Sequence, residues 1–192
     1  MAVRIAEHIT QKLIMESIIE EDDRELYCYG FFLLTTQLFF FLVTAATGLI
    51  AGVLLESILF YTVFMLLRTF AGGLHAKTET ACTILTTLAL TVSVFGIKFM
   101  RLENTQFFSV LILISSSLSI FLLAPLDNRY KPLTKQEKKH YQITCYAILA
   151  LSLVSILFAK MFSLDILYYP ITWGIFLEGI LLCIGKKYNS KR

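Results

Sequence analysis

Long uncharged blocks limit what this chain can fold into more than any other feature of its sequence. Between residues 31 and 67 the only formal charge is Glu56. A helix needs roughly 20 apolar residues to cross a hydrocarbon core about 30 Å thick, so this block is long enough for two crossings, and Gly48 and Gly52 mark the turn between them. Hydrophobic residues make up 57% of the 192 positions and charged residues only 16%. The sequence therefore predicts an all-α, polytopic membrane protein.

Six transmembrane helices are expected in all. Their approximate bounds are 31–50, 53–70, 81–97, 107–124, 143–159 and 164–184. Residues 1–29 precede them as an amphipathic helix with an acidic end, a pattern typical of a helix that lies in the membrane interface. We therefore expect two parts, an N-terminal cytoplasmic or interfacial helix (1–29) and a six-span transmembrane domain (30–192) that carries the chemistry.

The distribution of basic residues predicts the orientation in the membrane. Six spans place both termini, the segment 68–80 and the loop 126–140 on one side, which then holds 14 of the 17 Lys and Arg residues. Cytoplasmic loops carry such an excess. We therefore expect both termini and the 68–80 segment on the cytoplasmic side. A five-span arrangement would divide the basic loops between the two sides and is disfavoured.

Composition and motifs exclude several classes of function. A net charge of +3 is too small to indicate a nucleic-acid partner. The four cysteines form no CxxC pair, so neither a metal site nor a thioredoxin-like site is expected, and no cofactor is expected. The chain also lacks the GxSxG and HExxH motifs of other hydrolases.

The polar segment 68–82 is the one dense cluster of reactive side chains near a predicted membrane edge. It contains His75 and Cys82. A thiol attacks as the thiolate, and its reference pKa of about 8.5 leaves only a few per cent ionised at pH 7. A neighbouring imidazole that accepts the proton, or a helix N-terminus, raises that fraction. The pair is a candidate nucleophile and base.

The spacing of this pair sets a condition on the backbone. Seven residues of straight helix separate two side chains by roughly 10 Å, which is too far for contact. The chain between Gly72 and Cys82 must therefore bend or unwind. Gly72-Gly73 permits such a bend, and Thr78 or Thr80 could cap a helix that begins just before Cys82.

Simpler interpretations of the same residues stay open on composition alone. His75 could be an interfacial anchor, Cys82 an inert thiol and Arg68 an anchor that follows the positive-inside pattern. On those interpretations the chain is a non-catalytic membrane protein or an exporter of a small peptide.

Two stretches of the sequence, taken together, resemble the accessory gene regulator B (AgrB) family of Gram-positive bacteria. The matching residues are Arg68, Gly72, Gly73, His75, Ala76 and Cys82 in the first stretch, and Ala124 to Asn128 with Lys131, Pro132 and Leu133 in the second. Chain length, six spans and the basic loop also match.

The resemblance implies a membrane cysteine endopeptidase of quorum sensing in the bacterial cell membrane. Such an enzyme cuts the C-terminal tail from an AgrD-like propeptide and leaves a cyclic thiolactone or lactone. By this resemblance Cys82 is the nucleophile and His75 the general base, while Arg68, Gly72 and Gly73 belong to the supporting motif. A homodimer is plausible for the family.

Further polar residues are candidates for substrate binding. Glu79 could orient His75, although a solvated acid is the simpler interpretation. Glu178 lies within the sixth predicted span, where a carboxylate is costly and often functional. The basic loop could bind an acidic propeptide tail or only set the topology; its lysines are Lys131, Lys135, Lys138 and Lys139.

Overall fold

The part of the protein that the structure describes is almost entirely helical. A computed structural model describes residues 2–73, 78–103, 106–126 and 134–190. Its helices are α1 Ala2–Met15, α2 Arg24–Ala51, α3 Leu54–Ala71, α4 Glu79–Glu103, α5 Gln106–Leu123, α6 Lys135–Met161 and α7 Asp165–Ser190, with a short 3-10 turn at Glu21–Asp23. These residues contain no β-strand, only one isolated bridge between Gly72 and Leu126.

The all-α, multi-pass class predicted from the sequence is confirmed. Among the described residues, five segments are long and apolar enough to cross a membrane: Glu21–Ala51, Leu54–Ala71, Thr80–Arg101, Lys135–Met161 and Asp165–Tyr188. The apolar helix Phe107–Leu123 is shorter, so the count of six spans stays a prediction. Large apolar side chains on these helices point away from the protein, as a bilayer environment allows.

Helix ends extend beyond the predicted spans because hydropathy marks the membrane-crossing part of a helix and not its termini. The helix α2 begins at Arg24, well before the predicted start at residue 31. The helix α6 begins at Lys135, eight residues before the apolar run, because Thr134 and Glu137 form a capping box there. At the N-terminus, α1 stops at Met15 instead of continuing towards residue 29.

The chain divides into two compact units, Met1–Val43 and Thr44–Arg192. The first contains α1, whose Thr10 hydroxyl donates to the Ala6 carbonyl within the same helix. The interfacial position of α1 and the functional division at residues 29 and 30 stay predictions. The second unit contains the candidate site.

The turn between the first two spans lies at the position that Gly48 and Gly52 predicted. Gly52 follows α2 with φ +74°, and Val53 N–H donates to the Gly48 carbonyl at 2.8 Å. This is a Schellman ending, in which the left-handed residue is usually glycine. The helices α2 and α3 are thereby joined by two residues.

The helix α7 is the centre of the second unit, since it contacts α3, α4, α5 and α6. It runs parallel to α5, because contacts between the two helices advance in the same direction along both. The Tyr168 hydroxyl is hydrogen-bonded to the Ser109 hydroxyl at 2.9 Å, and nearer the C-terminal ends Cys183 donates to Ser119 at 3.5 Å. Two small residues allow its neighbours to approach closely. A methyl group on Gly174 would lie 3.0 Å from Val63, and one on Gly179 would lie 3.0 Å from the Cα of Ser116.

We predict that Gly179→Ala loosens the contact between α5 and α7. The added methyl meets Ser116 backbone atoms, which cannot rotate away, and overpacking of this kind costs about 1–3 kcal/mol. Thermal unfolding of the detergent-solubilised protein should occur at a lower temperature. Gly30→Ala is the matched control because nothing lies within 4 Å of its new methyl. Equal unfolding temperatures for the two variants would contradict this packing.

Candidate functional site

The first part of the site is a turn of two glycines that ends α3. Gly72 has φ +77° and Gly73 has φ +135°, which is backbone that residues with a Cβ rarely adopt. Gly72 N–H donates to the Arg68 carbonyl at 3.2 Å. The helix therefore stops at Ala71, and the chain leaves it in a new direction. We call Gly72-Gly73 the glycine turn.

Arg68 holds the glycine turn from the last helical turn of α3. Its guanidinium donates to the Gly72 carbonyl at 2.8 Å. The same guanidinium lies so close to Gly73 that any Cβ at that position would collide with it. Glycine is required at Gly73 both for its backbone angle and for the space that Arg68 occupies.

Glu178 of α7 lies on the other side of Arg68. One carboxylate oxygen is 3.9 Å from a guanidinium nitrogen, and the Glu178 side chain is completely buried while Arg68 keeps 19% of its side chain exposed. Neither carboxylate oxygen accepts a hydrogen bond from the described residues. A buried carboxyl group with unmet hydrogen bonds is costly inside a protein, and Arg68 is the oppositely charged residue that lies beside it.

The second family-like stretch, which follows α5, meets the glycine turn directly. After a cis Ala124–Pro125 bond, Leu126 N–H donates to the Ala71 carbonyl at 2.8 Å. Gly72 and Leu126 form the isolated parallel bridge, and a Cβ on Gly72 would lie 2.6 Å from the Leu126 carbonyl oxygen. The last carbonyl of α3 is thus satisfied by a segment more than 50 residues further along the chain.

Tyr146 contacts the end of α5 just before that second stretch, and sequence reasoning missed it. The Phe121 carbonyl cannot bond to residue 125, because proline has no N–H. The Tyr146 hydroxyl donates to this carbonyl at 2.7 Å, and its ring stacks on Phe121 with centroids 5.0 Å apart. A proline four residues after Phe121 was the signal in the sequence, since it predicts an unpaired carbonyl there.

Cys82 lies in the first turn of α4. The Thr78 hydroxyl accepts a hydrogen bond from Ala81 N–H at 3.2 Å, and Cys82 N–H donates to the Thr78 carbonyl at 3.0 Å. The predicted cap at Thr78 is therefore confirmed. The Cys82 residue is partly exposed, and it lies near the positive end of the α4 dipole.

The predicted break in the helix between Gly72 and Cys82 is also confirmed by the helix bounds. The helix α3 ends at Ala71 and α4 begins at Glu79. Straight-helix spacing therefore does not apply to the candidate pair. His75 itself lies outside the described residues, and the same holds for the side chain of Glu79.

Three of the predicted basic residues lie on a different helix. Lys135, Lys138 and Lys139 are exposed in the first turns of α6, and their spacing puts all three on neighbouring positions of the helix surface. Lys131 lies outside the described residues. The structure thus brings Arg68, the glycine turn and Glu178 together, with the lysines at the start of another helix.

Metal binding finds no support in the part of the chain that is described. No group of three or more His, Cys, Asp or Glu side chains could hold an ion there. The four cysteines are free thiols. The chemical groups that the site offers are a thiol at a helix N-terminus and a guanidinium fixed beside a glycine turn.

Comparison with known proteins identifies the family of this chain. The family model described as Accessory gene regulator B matches residues 5–182. A relative named "Putative AgrB-like protein" from Clostridium perfringens (strain SM101 / Type A) is 26% identical over 190 residues, covering 96% of this chain and 86% of the relative. "Putative AgrB-like protein 2" from C. perfringens (strain 13 / Type A) is 27% identical over 181 residues, covering 91% and 82%.

A relative that matches over a shorter part of the chain has a similar name. "Putative AgrB-like protein" from Listeria monocytogenes serotype 4a (strain HCC23) is 26% identical over 122 residues, covering 62% of this chain and 59% of the relative. No solved structure matches the chain significantly. The family model spans most of the chain, including the glycine turn, Cys82 and Glu178. This chain therefore belongs to the accessory gene regulator B family.

Proposed function

We propose that this protein is a membrane cysteine endopeptidase that removes the C-terminal tail of an AgrD-like propeptide and cyclises the remainder. Cys82 is the nucleophile and His75 the general base. The observation that carries the proposal is the location of Cys82 in the first turn of α4, nine residues after Gly73 of the glycine turn that Arg68 holds. Membership of the AgrB family supports a role in the accessory gene regulator quorum-sensing system.

The environment of Cys82 suits a nucleophilic thiol. The thiolate is the form that attacks a carbonyl, and the unpaired N–H groups at a helix N-terminus favour negative charge nearby. Of the N–H groups in the first turn of α4, Ala81 N–H donates to the Thr78 hydroxyl. The remaining N–H groups of the first turn are the natural candidates for an oxyanion hole.

The glycine turn determines where the segment that carries His75 leaves α3. His75 follows Gly73 by two residues, so any rotation of the turn displaces the imidazole. Arg68 and the pairing of Leu126 with Ala71 fix the turn from two sides. Arg68, Gly72 and Gly73 are therefore positioning residues that act through His75.

The reaction follows from these roles. The His75 imidazole takes the Cys82 proton, and the thiolate attacks the scissile carbonyl to give a tetrahedral intermediate. As the C–N bond breaks, the imidazolium returns the proton to the leaving amine. The products are a free tail peptide and a thioester between Cys82 and the remaining propeptide.

Ring closure completes the cycle. A Cys or Ser side chain of the propeptide attacks the thioester carbonyl, His75 removes its proton, and the Cys82 thiolate leaves and is reprotonated. Hydrolysis of the thioester would yield a linear peptide, so the site must exclude water at this stage. Replacing an amide with a thioester is unfavourable, and removal of the tail or the ring therefore drives the reaction forward.

The proposed setting is the cytoplasmic edge of the bacterial cell membrane. Both termini and the active site face the cytoplasm in this proposal, because a six-span arrangement puts 14 of the 17 Lys and Arg residues on their side. Thiols in the cytoplasm stay reduced. The partners are the propeptide, the lipid bilayer and a second copy of the chain. Lys131, Lys135, Lys138 and Lys139 bind the acidic tail of the propeptide in this proposal.

Replacing either member of the pair should abolish processing. In cells that express the enzyme with its propeptide, Cys82→Ala and His75→Ala should lower tail release at least about 1,000-fold, followed by mass spectrometry, because loss of one member disables the unit. Cys28→Ala is the matched control, since Cys28 is also a free, partly exposed thiol. Wild-type processing by Cys82→Ala would favour a non-catalytic or exporting role.

Charge reversal on α6 should weaken processing at unchanged expression. Exchanging Lys135, Lys138 and Lys139 for Glu replaces attraction for an acidic tail by repulsion, so KM should rise several-fold, and the wild-type KM should itself rise with salt. Lys186→Glu with Lys187→Glu is the control, because both lysines are exposed and belong to the same basic side. Equal KM values for the three proteins would discard tail binding by α6.

A further inference from the structure

The buried carboxylate of Glu178 has no role in the reaction described above. It lies in α7, completely buried, with no hydrogen bond to either oxygen from the described residues. Ionisable side chains are costly inside a membrane protein and usually face a functional interior. A group with this cost and no local hydrogen bond calls for a role in the function of the molecule.

Direct contact with the propeptide does not fit the burial of Glu178. The side chain has 0% exposure, whereas Arg68, which lies between it and the glycine turn, keeps 19%. The distance from a Glu178 oxygen to the Arg68 guanidinium is 3.9 Å, and the guanidinium donates onward to the Gly72 carbonyl at 2.8 Å. Arg68 therefore lies between Glu178 and the glycine turn.

We propose that Glu178 is a positioning residue of the active site, which holds Arg68 on the glycine turn and thereby fixes the backbone that leads to His75. This role rests on the function proposed above. It differs from substrate binding, because the carboxylate acts on the guanidinium from its buried side.

Electrostatics explains how the carboxylate keeps Arg68 in place. A guanidinium on a long side chain near a membrane edge tends to extend towards the water and lipid headgroups. The Glu178 carboxyl group on α7, 3.9 Å from the guanidinium, attracts it inward, against the glycine turn. Because α7 packs along α3 in the same direction, with Gly174 beside Val63 and Glu178 beside Arg68, the position of the charge is set by rigid packing.

The described residues offer a matched ion pair for comparison. Glu56, in the first turn of α3, pairs with Arg101, in the last turn of α4. Glu56 is also buried, but this pair lies at the end of α3 opposite to Arg68. Glu56→Gln therefore removes a comparable buried charge at a distance from the glycine turn.

The test uses the full-length protein in membranes, with two readouts. The first is the rate of propeptide processing at equal folded protein. The second is the rate at which N-ethylmaleimide labels Cys82, located by peptide mass mapping. We expect Glu178→Gln to slow both rates about tenfold, the effect of losing one interaction with a charged group, while thermal unfolding stays near that of the wild type. Glu56→Gln should change neither rate.

A double-mutant cycle separates action through Arg68 from independent action. If Glu178 acts through Arg68, adding Glu178→Gln to Arg68→Lys should cause little further loss of Cys82 labelling. Independent, multiplicative losses would overturn the inference, as would wild-type rates for Glu178→Gln. Labelling remains measurable even where processing is abolished. Failure of the proposed function has a different signature, since Cys82→Ala would then process normally.

Discussion

The hydrogen bond from Arg68 to the Gly72 carbonyl is the interaction on which the candidate site depends. It turns the end of α3 into a fixed corner, where an ordinary helix end would fray. Leu126 supports the same corner by pairing with Ala71. The helix α4, with Cys82 in its first turn, follows this corner in the chain.

The shape of this corner thus depends on the glycine turn, on Arg68 and on a distant backbone segment. The corner is assembled from the end of α3, the segment after α5 and one side chain of α7. Three helices therefore contribute contacts to the corner, which links the packing of the membrane domain to the geometry of the site. Tyr146 extends this dependence to α6, through the Phe121 carbonyl.

Sequence patterns predicted the helices and the local chemistry, but not the long-range contacts. Unbroken apolar runs identify membrane-crossing segments. Gly52 predicts the turn after α2 and Thr78 predicts the cap of α4, because these residue types favour those local structures. The start of α2 at Arg24 was missed because a helix continues past the membrane without an apolar signal. The pairing of Glu178 with Arg68 depends on the register between α3 and α7, which no local pattern specifies.

Capture of the acyl-enzyme tests the account most directly. A propeptide whose ring-closing Cys or Ser is replaced by Ala cannot release the thioester by cyclisation. Incubated with the wild-type protein, it should leave the N-terminal propeptide fragment attached to Cys82, visible by intact mass and removed by hydroxylamine. Tail release without any adduct at Cys82, or with an adduct at another residue, would contradict the assignment of Cys82 as nucleophile.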